Sequence, residues 1–168
     1  MQPLKKWIKT GKTSYALWDR EQEIGTMEIA LGTLTRKATA TFEGRTIEIT
    51  KTGFWRNNLE ITDPKGEIIA KVYPKKWYAE TLSFDYNDSQ YKIVYRNNPL
   101  AECALFVQNQ ELLAYGINTG NEDGKVNIKI TNSAKKQDFI FDFILWYLFL
   151  PIATENMDDN FTFLLLIA

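Results

Sequence analysis

The residues able to do chemistry in this chain are few, and they are basic and aromatic. Lys5-Lys-Trp-Ile-Lys9 and Tyr73-Pro-Lys-Lys-Trp-Tyr78 each set lysines beside a tryptophan. That pairing suits an anionic surface, where an indole rests at headgroup depth while ammonium groups meet phosphate. The candidate lipid- or anion-binding residues are therefore Lys5, Lys6, Trp7, Lys75, Lys76 and Trp77. The competing reading packs Trp7 and Trp77 at the ends of a folded domain, with solvated lysines around them.

Other chemistries are thinly supported. The chain has no histidine, which removes histidine bases, Ser/His triads and most zinc sites. Its one cysteine, Cys103, cannot form an internal disulfide and reads as a buried small hydrophobe. Gly120-Asn-Glu-Asp-Gly124 lacks the ligand spacing of a calcium loop and reads as a hairpin connection. Thr10-Gly-Lys-Thr13 mimics the end of a phosphate loop without its upstream glycine or preceding strand. No catalytic, cofactor-binding or metal-ligating set emerges, so the expectation is a non-catalytic domain without a cofactor.

Composition bounds the partners. With 20 basic and 21 acidic residues in 168, net charge is -1, so no global field recruits nucleic acid or an anionic membrane. A hydrophobic fraction of 45%, with 14% aromatic, excludes disorder. The N-terminus has a charged start but no apolar run after it, so a signal peptide is not expected. The expected location is cytoplasmic, with peripheral contact at the inner membrane face if lipid is bound.

From about residue 4 to 131 the pattern has period two. Ile47 and Ile49 alternate with Thr46, Glu48 and Thr50, and Val126, Ile128 and Ile130 alternate with Lys125, Asn127 and Lys129. This is the signature of strands with one buried face. Asp63-Pro-Lys-Gly66 is a turn with a mechanism, since proline fixes its own φ and Gly66 takes positive φ. Eleven or so short strands at regular spacing predict an antiparallel barrel or sandwich. No linker divides the chain, so residues 1–168 read as one domain.

A different pattern follows. Asp138-Phe-Ile-Phe-Asp-Phe-Ile-Leu-Trp-Tyr-Leu-Phe-Leu150 is apolar on every side at helical spacing. A helix of that kind is buried or spans a membrane. Asp138 is a suitable N-cap, Asp142 falls where the helix dipole tolerates an acid, and Pro151 is expected to stop the helix. A helix is about 10–12 Å across with its side chains, and eleven-stranded cans are wide enough to hold one. The expected fold is therefore mainly β: a closed antiparallel β-barrel of about 11–12 strands around a hydrophobic C-terminal α-helix over about 138–150. An apolar tail, Phe161–Ala168, follows an acidic stretch.

This arrangement resembles the tubby C-terminal-like superfamily, which includes the LURP-one-related proteins and the phospholipid scramblases. The segments that carry the likeness are Gly44-Arg-Thr-Ile-Glu-Ile-Thr-Lys-Thr-Gly53, the hairpin Leu59-Glu-Ile-Thr-Asp-Pro-Lys-Gly-Glu-Ile-Ile-Ala-Lys-Val72, and the closing Asp138-Phe-Ile-Phe-Asp-Phe-Ile-Leu145 helix. The tail after the helix departs from the family pattern, in which the helix usually lies near the end. The resemblance implies a barrel around a central helix and recognition of phospholipid headgroups at its surface.

Three functions fit the sequence. The first is a binding or scaffold domain for a phospholipid headgroup or a protein partner. The second is a membrane protein anchored by residues 139–153. Fifteen residues span about 22 Å, short of the roughly 30 Å hydrocarbon core. The third is a hydrophobic-ligand carrier, which requires an empty lumen.

Overall fold

A computed structural model of the protein describes residues 5–31, 36–53, 58–76, 81–96, 102–118, 127–132 and 138–155. Twelve strands precede one helix. They are β1 (Lys5–Lys9), β2 (Ser14–Asp19), β3 (Gln22–Leu31), β4 (Arg36–Phe42), β5 (Arg45–Thr52) and β6 (Asn58–Thr62). The series continues with β7 (Ile68–Pro74), β8 (Thr81–Tyr86), β9 (Ser89–Arg96), β10 (Glu102–Val107), β11 (Gln110–Asn118) and β12 (Asn127–Asn132). The helix α1 runs from Ile140 to Glu155. Each strand pairs antiparallel with its chain neighbour, giving a single meander in the order β1 to β12.

The meander curls into a nearly closed barrel around α1. Alternation decides which side chains enter: Ile47, Ile49, Leu59, Ile61, Ala70 and Val72 face in and are buried, as the period-two reading requires. Ala38, Ala40 and Ala70 keep part of the wall thin, which leaves width for the large rings of the helix. Residues 140–147 of α1 are all buried, with no polar face. Rings from separate strands meet the helix on different sides. Phe42 of β4 stacks on Phe143 at 4.5 Å, Trp7 of β1 stacks on Trp146 at 4.9 Å, and Tyr91 of β9 lies 4.7 Å from Phe141. The expected helix-in-barrel architecture is present.

Turn chemistry fixes the register. Asn87 and Asp88 both have positive φ, as does each of Arg20, Glu43 and Gln108, and such backbone turns match the twist of the strands that they join. At the longer 63–67 turn, Asp63 Oδ1 accepts from the amides of Lys65 and Glu67 at 2.8 and 2.9 Å. Gly66 has φ +87° there, as the sequence predicts.

Lys5–Lys9 is the first strand, as the period-two region from about residue 4 requires. One expectation changes. Pro151 does not stop α1, which continues through it to Glu155. Proline removes one helical hydrogen bond, but Leu150 and Ala153 on either side of it are buried in the barrel. Burying that last turn outweighs the lost bond. The 120–124 loop, Trp77 and the 161–168 tail lie outside the described residues.

Candidate functional site

Strand alternation splits the first candidate cluster. On β1, Lys5 and Trp7 point into the barrel while Lys6 and Ile8 point out. Lys6 Nζ sits 5.6 Å from the ring centre of Trp18, an outward neighbour on β2. Trp7 is fully buried, so its indole is part of the core and not of a membrane-facing surface. In the second cluster, Lys75 and Lys76 are exposed just after β7, at the β7–β8 connection. Trp77 is not among the described residues. The structure therefore leaves Lys6, Lys75 and Lys76 facing outward and does not bring the two clusters together at one point.

The side chains that point inward form a polar network of their own. Lys5 Nζ donates to Asp142 Oδ2 at 2.7 Å. Tyr115 Oη donates to Asp142 Oδ1 at 2.7 Å, and Trp7 Nε1 donates to Tyr115 Oη at 2.9 Å. Lys5 Nζ also lies 5.1 Å from the centre of the Phe139 ring. Burial pushes the Asp142 carboxyl up from the ordinary aspartate value, opposed by Lys5 and the Tyr115 hydrogen bond. Burial and the nearby Asp142 charge push the Tyr115 phenol well above its usual range. An acid inside an apolar helix has to find partners, because an unpaired buried charge costs several kcal/mol. Asp142 finds a cation from β1 and a phenol from β11.

The network occupies the seam of the barrel. Among the described residues no ladder joins β1 to β12, so β1 is paired by backbone on one side only, with β2. Its inward side chains tie β1 to the core: Lys5 to α1, and Trp7 to β11 and α1.

A second polar group caps the helix. Asp138 Oδ1 accepts from the Ile140 amide at 3.0 Å, the N-cap bond that the sequence predicts. The same carboxylate takes Arg45 at 2.6 Å and the Tyr86 hydroxyl at 2.6 Å. Burial alone would raise Asp138, but the bonds from Arg45, Tyr86 and the Ile140 amide outweigh it and hold the carboxyl below the usual range. Arg45 and Tyr86 flank the turns after β4 and β8, so this triad pins the start of α1 to two hairpins.

No protein-family model, no curated protein and no solved structure matches this chain. The chemistry must therefore be read from the geometry alone.

Neither polar group offers a reacting atom to a substrate. Lys5, Tyr115 and Asp142 bond to one another inside a lumen that the helix occupies. Asp138 has its oxygens on Arg45, Tyr86 and an amide. Cys103 is buried on an inward position of β10, and burial pushes its thiol up, away from the reactive thiolate. Among the described residues there is no group of three or more acidic or cysteine side chains placed to hold a metal ion. No helix among them is long and apolar enough to cross a membrane.

Sequence reasoning missed Tyr115, Arg45 and Tyr86, because a hydroxyl or a guanidinium on an alternating strand carries no mark of its distant partner. Asp142 was expected only as an acid that the helix dipole tolerates. The signal that could have found its partner is that a lone acid in an all-apolar helix needs a buried cation, and Lys5 is turned inward on β1.

Proposed function

We propose that the protein is a non-catalytic binding domain that recognises an anionic partner with its outer surface and rim, and not with its lumen. The observation that supports this reading is the filled barrel: α1 is buried on every side over residues 140–147. A carrier needs internal volume for its ligand, and here ring stacking on Phe143 and Trp146 takes that volume up. An anchor needs the 139–153 segment outside, and the Lys5 and Tyr115 bonds to Asp142 hold it inside. What is left for recognition is outward basic side chains such as Lys6, Lys75 and Lys76. A phospholipid headgroup or an acidic protein surface fits them, in line with the tubby-like resemblance of the sequence.

The experiment is lipid and metabolite analysis of protein purified without detergent. The expected result is no stoichiometric lipid inside the folded protein, together with measurable, salt-sensitive binding of phosphoserine or polyglutamate to its surface. A lipid retained at one per chain would replace this reading with the carrier.

A further inference from the structure

We propose that the folded chain cross-links itself, forming an amide bond between Lys5 Nζ and Asp142 Cγ with loss of one water. The inference goes beyond the surface-binding reading and does not depend on what that surface recognises. The hydrogen-bonded ion pair is the state from which the bond forms.

Lys5 and Asp142 are the buried charged side chains among the described residues. In water an ammonium and a carboxylate stay an ion pair, because hydration of the two charges outweighs the gain from making an amide. The outer wall shows that case: Lys37 Nζ meets Glu48 Oε2 at 2.9 Å with both side chains in contact with solvent. Inside the barrel that hydration is already lost, since the Lys5 and Asp142 side chains are 4% and 0% exposed. Holding two charges there is costly. An amide removes both, and the surrounding rings of Trp7, Phe139 and Tyr115 disfavour the return of water.

Geometry supplies the encounter. Lys5 Nζ lies 2.7 Å from Asp142 Oδ2, so a small turn of the carboxyl brings Nζ over Cγ. Reactants held in this way meet at effective concentrations of about 10⁵–10⁸ M in well-oriented cases. Both partners are fixed. Lys5 belongs to a strand laddered to β2, and Asp142 is carried by α1 with Tyr115 Oη donating to its Oδ1 at 2.7 Å. The Trp7 indole, 2.9 Å from Tyr115 Oη, orients that phenol in turn.

The step balances without a co-reactant. A proton passes from Nζ to Oδ2 along their hydrogen bond, leaving an amine and a carboxylic acid. Burial favours that protonated acid, with a smaller push from Asp19, which stands opposite Lys5 on β2; Lys5 and Tyr115 pull the other way. The amine lone pair then forms the Nζ–Cγ bond while negative charge gathers on Oδ1, where Tyr115 donates its hydrogen bond. The Cγ–Oδ2 bond breaks, and Oδ2 leaves as water with two of the three protons that the ammonium carried. The third stays on the amide nitrogen, and nothing is oxidised or reduced. Tyr115 is the catalytic residue, since it touches the reacting carboxyl. The product ties β1, which has no ladder besides that to β2 among the described residues, covalently to α1.

The test is the intact mass of the full chain, folded and held at neutral pH. The expected mass is one water below that of the sequence, and digestion should yield a branched peptide joining Lys5 to Asp142. Lys5→Arg keeps a cation beside Asp142 but has no nucleophilic amine, so it should retain the full mass of its own sequence. Tryptophan fluorescence checks that each variant is folded. Tyr115→Phe should form the bond at least about tenfold more slowly in a time course of in vitro translation. Full mass in the folded parent overturns the proposal, and so does a water loss that persists in Lys5→Arg or maps to other residues. The branched peptide of the parent decides the matter even where a variant does not fold. An unchanged rate in Tyr115→Phe overturns the part assigned to that phenol.

Discussion

Lys5 Nζ stands 2.7 Å from Asp142 Oδ2 across 137 positions of sequence, and both side chains are almost entirely out of solvent. The pair joins the first strand to the last element of the fold. It does so at the seam, where β1 has no backbone partner besides β2 among the described residues. Besides its ladder to β2, the first strand is tied to the core by a charge pair, a phenol and an indole.

Replacing Asp142 by Asn should therefore destabilise strongly, by about 3–5 kcal/mol, because the Lys5 ammonium is left buried without a counter-charge. Lys5→Met combined with Asp142→Asn should recover most of that loss, since neither charge is then stranded. The measurement is a double-mutant cycle on urea midpoints. Additive effects would show that the two residues are not coupled.

Acid should act on the helix cap. Asp138 has a depressed folded value, so its ionised form contributes stability above the unfolded carboxylate value of about 3.9. That contribution is lost as pH falls through the depressed folded value. Asp142, raised by burial, works in the opposite sense, because its folded form takes up a proton more readily than the unfolded chain. Asp138→Asn keeps an N-cap acceptor but removes the charge. It should flatten the loss of stability below about pH 4, seen as a smaller drop in denaturation midpoint between pH 5 and pH 3. An acid limb as steep as that of the parent would place the sensitivity elsewhere.

Two glycines should respond for different reasons. Gly66 has φ +87° with open space where a Cβ would stand, so Gly66→Val should cost on the order of 1–3 kcal/mol through backbone strain alone. Gly25 faces a steric limit instead, because an added Cβ would lie 2.3 Å from the carbonyl oxygen of Thr41 on β4. Gly25→Ala should destabilise more than Gly66→Ala, with thermal midpoints as the readout. The reverse order would mean that the β3–β4 ladder yields easily at that point.

The same contrast shows what the sequence could disclose. Gly66 was legible because Asp-Pro-Lys-Gly is local turn chemistry, and the strands were legible because Ile47, Ile49, Leu59 and Ile61 alternate without exception. Gly25 carried no local mark, since its constraint is a backbone atom of a neighbouring strand. Lys5 and Trp7 stayed open between a surface pair and a packed one for a related reason. Lysine beside tryptophan looks alike on a membrane-facing loop and on a strand, and only the partner across the lumen tells them apart. Pro151 was misjudged because a local stop signal was set against burial contributed by the whole barrel.

The helix supplies the sharpest test of the architecture. At about 100° per residue, Phe143, Ile144 and Trp146 sample three sides of α1. Phe143 stacks on Phe42 and meets Trp7 edge-on, Trp146 lies between Trp7 and Tyr15, and Ile144 is equally buried. A helix lying on an open sheet would accept lysine on its outer side at a cost near the surface value of about 0.5 kcal/mol. Inside a barrel every side is a wall, and an unpaired charge there costs several kcal/mol or more. Phe143→Lys, Ile144→Lys and Trp146→Lys, made singly, should each abolish or severely lower soluble yield and unfolding midpoint. Leu148 is the control: it is the half-buried position within residues 140–150, so Leu148→Lys should be the least damaging of the four. Wild-type stability in any of the first three would reveal an open side and remove the central helix from the fold.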